Sequence, residues 1–110
     1  MSTAPAPQSE SGKIPVRIDP ALRELIPQFL ANRQRDIETL RQASHHADFA
    51  KVQLLGHRMK GDGGGFGFEG ISEIGAVLEA AAIRRDHACI ARQIERLADY
   101  VARVDITFEE

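Results

Sequence analysis

The sequence predicts an all-α protein, an antiparallel up-down-up-down four-helix bundle with an N-terminal extended strap. Three observations predict it. From residue 19 onward the apolar residues recur every three or four positions, the period of a helix and not of a strand. Capping and turn residues fall between these periodic stretches and leave only short connections, which suit antiparallel neighbours. The chain has 110 residues, 43% of them apolar and only 5% aromatic, enough for one compact domain with an aliphatic core.

The elements follow in order. Met1 to Gly12 is rich in Ser, Thr and Pro and offers little to bury, so residues 1–13 are expected to form a disordered tail ahead of a domain spanning 14–108. Ile14, Val16 and Ile18 alternate with Pro15 and Arg17. The stretch suits an extended strap across the core or a short edge strand; one such stretch cannot make a sheet alone, so the strap is expected. Asp19-Pro20 is a helix start, a capping carboxylate followed by a first-turn proline. Leu22, Leu25, Ile26, Phe29, Leu30, Ile37 and Leu40 then form the first apolar stripe, with Pro27 expected to kink or divide it. The chain turns at Ser44-His45-His46-Ala47, and Asp48 caps a second helix with the stripe Val52, Leu55, Met59 and Phe66. A third helix begins near Gly70 or Ile71 and buries Ile71, Ile74, Leu78 and Ala81 or Ala82. After a break at Arg85-Asp86, a fourth helix carries Ile90, Ile94, Leu97, Val101 and Val104.

Composition excludes several function classes. Fourteen basic against sixteen acidic residues give a net charge of −2, which argues against a nucleic-acid binder relying on a basic surface. Cys89 is the only cysteine, so neither an internal disulfide nor a cysteine-based zinc site can form; a small core residue of the fourth helix is expected there. No apolar run approaches ~18 residues and no signal-peptide pattern stands at the start, so a soluble, cytoplasmic protein is expected.

One segment breaks the local rules. Between residues 61 and 67, five residues are glycine. Each glycine inside a helix costs about 1 kcal/mol relative to alanine. Yet the apolar period runs through them. With Val52 set at zero and about 100° per residue, Leu55, Met59 and Phe66 fall at about 300°, about 340° and about 320°. His57 then lies at about 140°, almost opposite the core. Lys60 falls at about 80°, Gly64 at about 120° and Gly61 at about 180° on the same wheel. A helix is therefore expected, with one solvent face presenting a histidine, a lysine one turn later, and bare backbone. Such glycines give clearance for a second protein to approach the imidazole. Conflicts between local propensity and global pattern tend to mark functional sites.

An exposed imidazole, with an unperturbed pKa of about 6.5, is a good nucleophile around neutral pH. A lysine at i+3 shares its face and can offset charge on a phosphoryl group carried by the ring. A carboxylate on the other ring nitrogen would fix the tautomer and leave Nε2 as nucleophile. Glu79 lies on a third helix running back past the second and is the candidate; Glu73 sits nearer the far end.

His57-x-x-Lys60-Gly61, followed by Gly67, Ile71 and Leu78-Glu79, resembles the histidine-containing phosphotransfer (HPt) domain family in residue types and spacing. The motif spans His57 to Glu79 without a gap, and the four-helix pattern extends the likeness over most of residues 19–105. The resemblance implies a phosphorelay carrier of two-component signalling, not an enzyme in its own right. It implies His57 as the phosphorylated residue, Lys60 as support for the phosphoryl group and Glu79 as the group orienting the ring. Gly61 and Gly64 would give access. Leu54 and Phe68, at about 200° and about 160° on the wheel, would form an apolar docking rim. The partners implied are a response-regulator receiver domain and a histidine or hybrid kinase, with neither nucleic acid nor membrane involved. No cofactor is expected; Mg²⁺ would sit on the receiver partner only. A monomer is expected. Two residues depart from the family pattern. Asp62 follows Gly61 but falls at about 280°, away from His57. Gly56 stands before the histidine, where alanine is frequent, and is expected only to loosen the helix.

Other readings weigh less. A docking or inhibitory module of the same fold would keep the apolar rim without using His57 chemically, but it does not explain the His57-Lys60 pair. Gly65-Phe66-Gly67-Phe68-Glu69-Gly70 matches G-x-G-x-x-G, yet no strand precedes it and no βαβ unit surrounds it. A metal site built from His45, His46, His57 or His87 lacks the carboxylate-histidine helix motif of bundle metal centres.

Overall fold

A computed structural model describes residues 12–109. The tail expected over 1–13 lies outside the described residues except for Gly12 and Lys13; the Gly12 carbonyl accepts a hydrogen bond from Arg103 Nε at 3.2 Å. The elements are β1 (Ile14–Ile18), a 3₁₀ turn (Pro20–Leu25), α1 (Ile26–His45), α2 (Phe49–Phe66), α3 (Glu69–Arg84), α4 (His87–Arg103) and β2 (Val104–Phe108). Four helices dominate, as expected of an all-α bundle.

The first apolar stripe is divided as its proline requires. Asp19 accepts from the Ala21 N–H at 2.9 Å and opens the 3₁₀ turn. The α-helix proper starts at Ile26, with Pro27 in its first turn, where a missing N–H costs nothing. Leu25 belongs to the turn and stays half exposed, while Ile26, Phe29, Ile37 and Leu40 enter the core.

All three interhelical loops use one device. Ala47, Gly67 and Arg85 take the left-handed conformation, at φ 57°, 92° and 58°. In each, the next N–H reaches back to close the preceding helix: Asp48 to Ala43, Phe68 to Gly63 and Asp86 to Ala81, at 2.8–2.9 Å. This is the six-to-one closure of a Schellman motif. The residue that closes one helix is also the N-cap of the next. Asp48 and Asp86 add side-chain caps to the Lys51 and Cys89 N–H groups, both at 3.1 Å. The hydrogen bond from Cys89 holds the Asp86 carboxyl below the usual aspartate value. Connections this tight force each helix back along its predecessor.

The ends of the chain differ from the sequence expectation. Residues 14–18 are a strand, not an unpaired strap: β1 pairs in parallel with β2, from Ile14↔Val104 to Ile18↔Phe108. Val104, expected at the end of the fourth helical stripe, turns extended at φ −64°, ψ 135° and begins β2. Its segment, Val104-Asp105-Ile106-Thr107-Phe108, alternates apolar and polar residues in the manner of a half-buried strand. Parallel strands need a long crossover, and here the whole bundle is the crossover. Val16 and Ile18 face the core. Arg23 lays its guanidinium over the Phe108 ring, 4.1 Å from the centroid.

The core is aliphatic, built from Val52, Leu55, Met59, Ile71, Ile74, Leu78, Ile90, Ile94 and Leu97. Cys89 is buried within it on α4. The closest helix pair is α2–α3, and glycine makes it so. A Cβ on Gly56 would stand 2.7 Å from the Glu79 nitrogen and 2.8 Å from the Gly75 oxygen. One on Gly75 would stand 2.6 Å from the Lys60 nitrogen, and one on Gly63 2.6 Å from the Ser72 nitrogen. Backbone meets backbone at all three positions. Gly56 is therefore a packing requirement, not the local loosening expected from the sequence.

Candidate functional site

The helix expected through the glycine run is present: α2 continues to Phe66. Its propensity deficit is met by tertiary contacts. Gly63 packs on the α3 backbone. The Ser72 hydroxyl donates to the Lys60 carbonyl at 2.8 Å. The Phe66 ring lies 4.5 Å from that of Phe29. Gly61 and Gly65, by contrast, have nothing within 4 Å of a would-be Cβ, and Gly64 has only the Ser72 hydroxyl at 3.8 Å. The glycines thus sort into two kinds: Gly56, Gly63 and Gly75 seat α3, while Gly61, Gly64 and Gly65 leave an open face.

On that open face stand the candidate chemical groups. The His57 side chain is 65% exposed, and its Nδ1 lies 3.0 Å from Glu79 Oε2. The Lys60 ammonium lies 3.5 Å from the other carboxylate oxygen of Glu79. Partial desolvation pulls the Glu79 carboxyl upward. The hydrogen bond from His57 and the Lys60 ammonium outweigh it and hold the group below the usual glutamate range. An ionised carboxylate can only accept, so Nδ1 is the donor and carries the ring proton. Nε2 is then the unprotonated nitrogen of the neutral ring, and among the described residues it has no partner.

The close seam produces this geometry. With Gly56 beside His57 and Gly75 four residues before Glu79, the two helices meet at backbone distance, and a short carboxylate side chain spans the gap. Neither Gly75 nor Ser72 was singled out from the sequence. The signal for Gly75 was present, a glycine on the buried stripe of an otherwise good helix, where it costs about 1 kcal/mol without a packing reason.

The remaining candidates divide. Leu54 is half exposed and lines a shallow groove of about 330 Å³ with Ala50, Gln53, His57 and Glu79. Phe68 does not form an apolar docking rim: it is fully buried and stacks on Phe29 at 4.9 Å and 9°. The helical wheel fails there because Gly67 ends the helix and the following residue folds inward. Glu73 faces elsewhere and pairs with Arg96 at 3.3 Å. Asp62 points away from His57 toward Arg33, as its wheel position implies. His45 and His46 pack edge to face at the end of α1, and His87 packs against Phe49. Among the described residues no group of three or more His, Cys, Asp or Glu side chains is placed to hold a metal ion. No helix among them is long and apolar enough to cross a membrane.

Comparison with known proteins bears on the same segment. No curated protein and no solved structure matches the chain. A family model does match, that of the Hpt domain, over residues 24–107, a span running from the 3₁₀ turn through all four helices into β2. An exposed histidine tied to a carboxylate on the neighbouring helix of a four-helix bundle, together with that match over most of its length, establishes that the chain belongs to the Hpt domain family, whose members carry phosphoryl groups in two-component signalling.

Proposed function

We propose that His57 is the phosphoryl carrier of this domain, accepting the group on Nε2 from the aspartyl phosphate of a receiver domain and returning it by the reverse step. The observation that carries this reading is the 3.0 Å contact between Nδ1 of a largely exposed His57 and Glu79. In the forward direction the Nε2 lone pair attacks phosphorus. The N–P bond forms, the P–O bond to the aspartate breaks, and that aspartate leaves as a carboxylate. The proton stays on Nδ1, and the positive charge gained by the ring faces the Glu79 carboxylate. Glu79 is a positioning group and a counter-charge; it never touches phosphorus. Lys60, one turn from His57 and 49% exposed, is near enough to the ring to offset part of the phosphoryl charge. The open backbone at Gly61 and Gly64 admits the partner. Acid groups and Mg²⁺ belong to the receiver, and a histidine or hybrid kinase would be the upstream source.

The test is transfer from receiver domains charged with a small phosphodonor, with wild type and His57→Gln in parallel. Wild type should acquire an acid-labile, alkali-stable label and His57→Gln none. Equal label on both would refute the assignment. Receiver binding with no label on either would favour a docking or inhibitory module instead.

A further inference from the structure

Among the described residues the one buried charged side chain is Arg33 of α1, 7% exposed. Its guanidinium lies over the Phe29 ring, 4.7 Å from the centroid, and its Nε donates to Asp36 at 2.9 Å. These two contacts fix the guanidinium plane. Nη1 is then a buried donor with no hydrogen-bond partner among the described residues. Burying a donor unpaired is costly, so the arrangement calls for a reason. The carboxylate that Nη1 faces, at 3.8 Å, is that of Asp62 on α2, which is half exposed. Arg33 and Asp62 line one shallow groove between α1 and the end of α2.

The place of Asp62 gives the reason. It follows His57 by five residues, about 7.5 Å along the helix axis and about 140° around it. The surface between them on α2 includes Gly61 and Gly65, at about 180° and about 220°, where the backbone is open. A carboxylate swung over that strip would fill the clearance and set a negative charge beside an incoming phosphoryl group. Arg58 borders the same strip at about 240° and is exposed. Arg58 and Asp62 both act on the Asp36 carboxyl, so with Arg33 two cations and two acids form one balanced cluster on the α1 side.

Resting on the phosphotransfer reading above, we propose that Arg33 is a positioning residue for transfer: from inside the α1–α2 seam it holds the Asp62 carboxylate off the glycine strip and offsets its charge, so the strip beside His57 stays bare and free of negative charge. Phe29 and Asp36 hold the guanidinium still, so the carboxylate is the partner that moves. The attraction of a buried cation is screened less than that of a solvated one, which lets a single guanidinium act on an acid at the surface. Arg33 touches neither His57 nor the phosphoryl group and acts through Asp62.

The probe is the receiver, among a panel charged with a small phosphodonor, that labels wild type fastest, and labelling is followed across receiver concentration. Asp62→Asn is a surface change that keeps the fold. Arg33 already offsets the charge it removes, so labelling should stay within about twofold of wild type. A gain of about fivefold or more would show an uncompensated acid and overturn the proposal. The second variant removes the buried pair together, Arg33→Met with Asp36→Asn, because loss of Arg33 alone strands the part-buried Asp36 carboxylate. A thermal melt verifies its fold, and the ¹⁵N spectrum of His57 verifies the ring. It should need about fivefold more receiver for half-maximal labelling, with little change at saturation, and the deficit should shrink at high salt. Adding Asp62→Asn should restore the wild-type requirement. A pair variant labelled like wild type, or a deficit that Asp62→Asn leaves in place, would overturn the role of Arg33 and leave the carrier role standing. Wild type left unlabelled by every receiver would instead sink the carrier role, and this proposal with it.

Discussion

Glu79 sets the protonation pattern of the ring. Its carboxyl is held below the ordinary value of 4.5, so it remains an acceptor throughout the neutral range. A depressed carboxylate contributes stability above its unfolded value and loses it as pH falls through the folded one. The His57–Glu79 link should therefore persist as pH falls through the ordinary glutamate range and fail only below it. Two measurements check this. In the free domain, ¹⁵N spectra of His57 should show the Nδ1–H tautomer, and Glu79→Ala should shift the population toward Nε2–H, while Glu79→Gln, which can still accept through its amide oxygen, should shift it less. The difference in melting temperature between wild type and Glu79→Ala should be constant above the carboxylate range and shrink below it. An unchanged tautomer in Glu79→Ala would remove Glu79 from the site. At this scale much was legible: the histidine, lysine and glutamate all stand where spacing and helical angle put them. Phe68 was misread because a wheel is valid only while the helix lasts, and Gly67 ends it one residue earlier.

Among the elements, the α2–α3 seam carries the design. Two kinds of glycine sit in one run, and they predict opposite responses to a methyl group. At Gly63 or Gly75 a Cβ would meet backbone at 2.6 Å, so alanine must push the helices apart. Overpacking of this kind costs about 1–3 kcal/mol, and the widened seam should also weaken the His57–Glu79 hydrogen bond. At Gly61 or Gly65 a methyl group meets nothing within 4 Å, so alanine should stabilise by about 0.5–1 kcal/mol through helix propensity. Denaturant melts of the four variants decide it, and destabilisation at Gly61 would contradict the open face. Gly61 and Gly65 forgo that stability, which makes sense where a partner needs the space. The sequence showed that glycines were concentrated here; it did not show which faced inward. That sorting depends on where α3 lies, and only Gly56, Gly63 and Gly75 together reveal it.

For the whole molecule, the two ends of the domain form one structural piece. β1 and β2 are separated in sequence by all four helices and pair in parallel across the end of the bundle. Ile18 is 1% exposed and its Cδ1 lies 3.4 Å from the Cβ position at Gly67, so the strand pair packs on the turn that closes α2. Ile18→Ala should destabilise the domain by about 2–5 kcal/mol in a chemical melt. A loss below ~0.5 kcal/mol would mean that the strands decorate the bundle without supporting it.

The sequence by itself determined the four helices, most of the stripe each would bury and the face on which His57 and Lys60 would stand. These follow from local rules: a 3.6-residue period, capping side chains, and prolines and glycines that restrict or free the backbone. Tertiary structure alone decided the pairing of β1 with β2, because a strand's partner is set by where the intervening bundle delivers it. It also decided that Phe68 is core and that Glu79 meets His57 at 3.0 Å. Those are distances between segments, and they depend on how closely two helices approach, which here is fixed by the absence of three side chains.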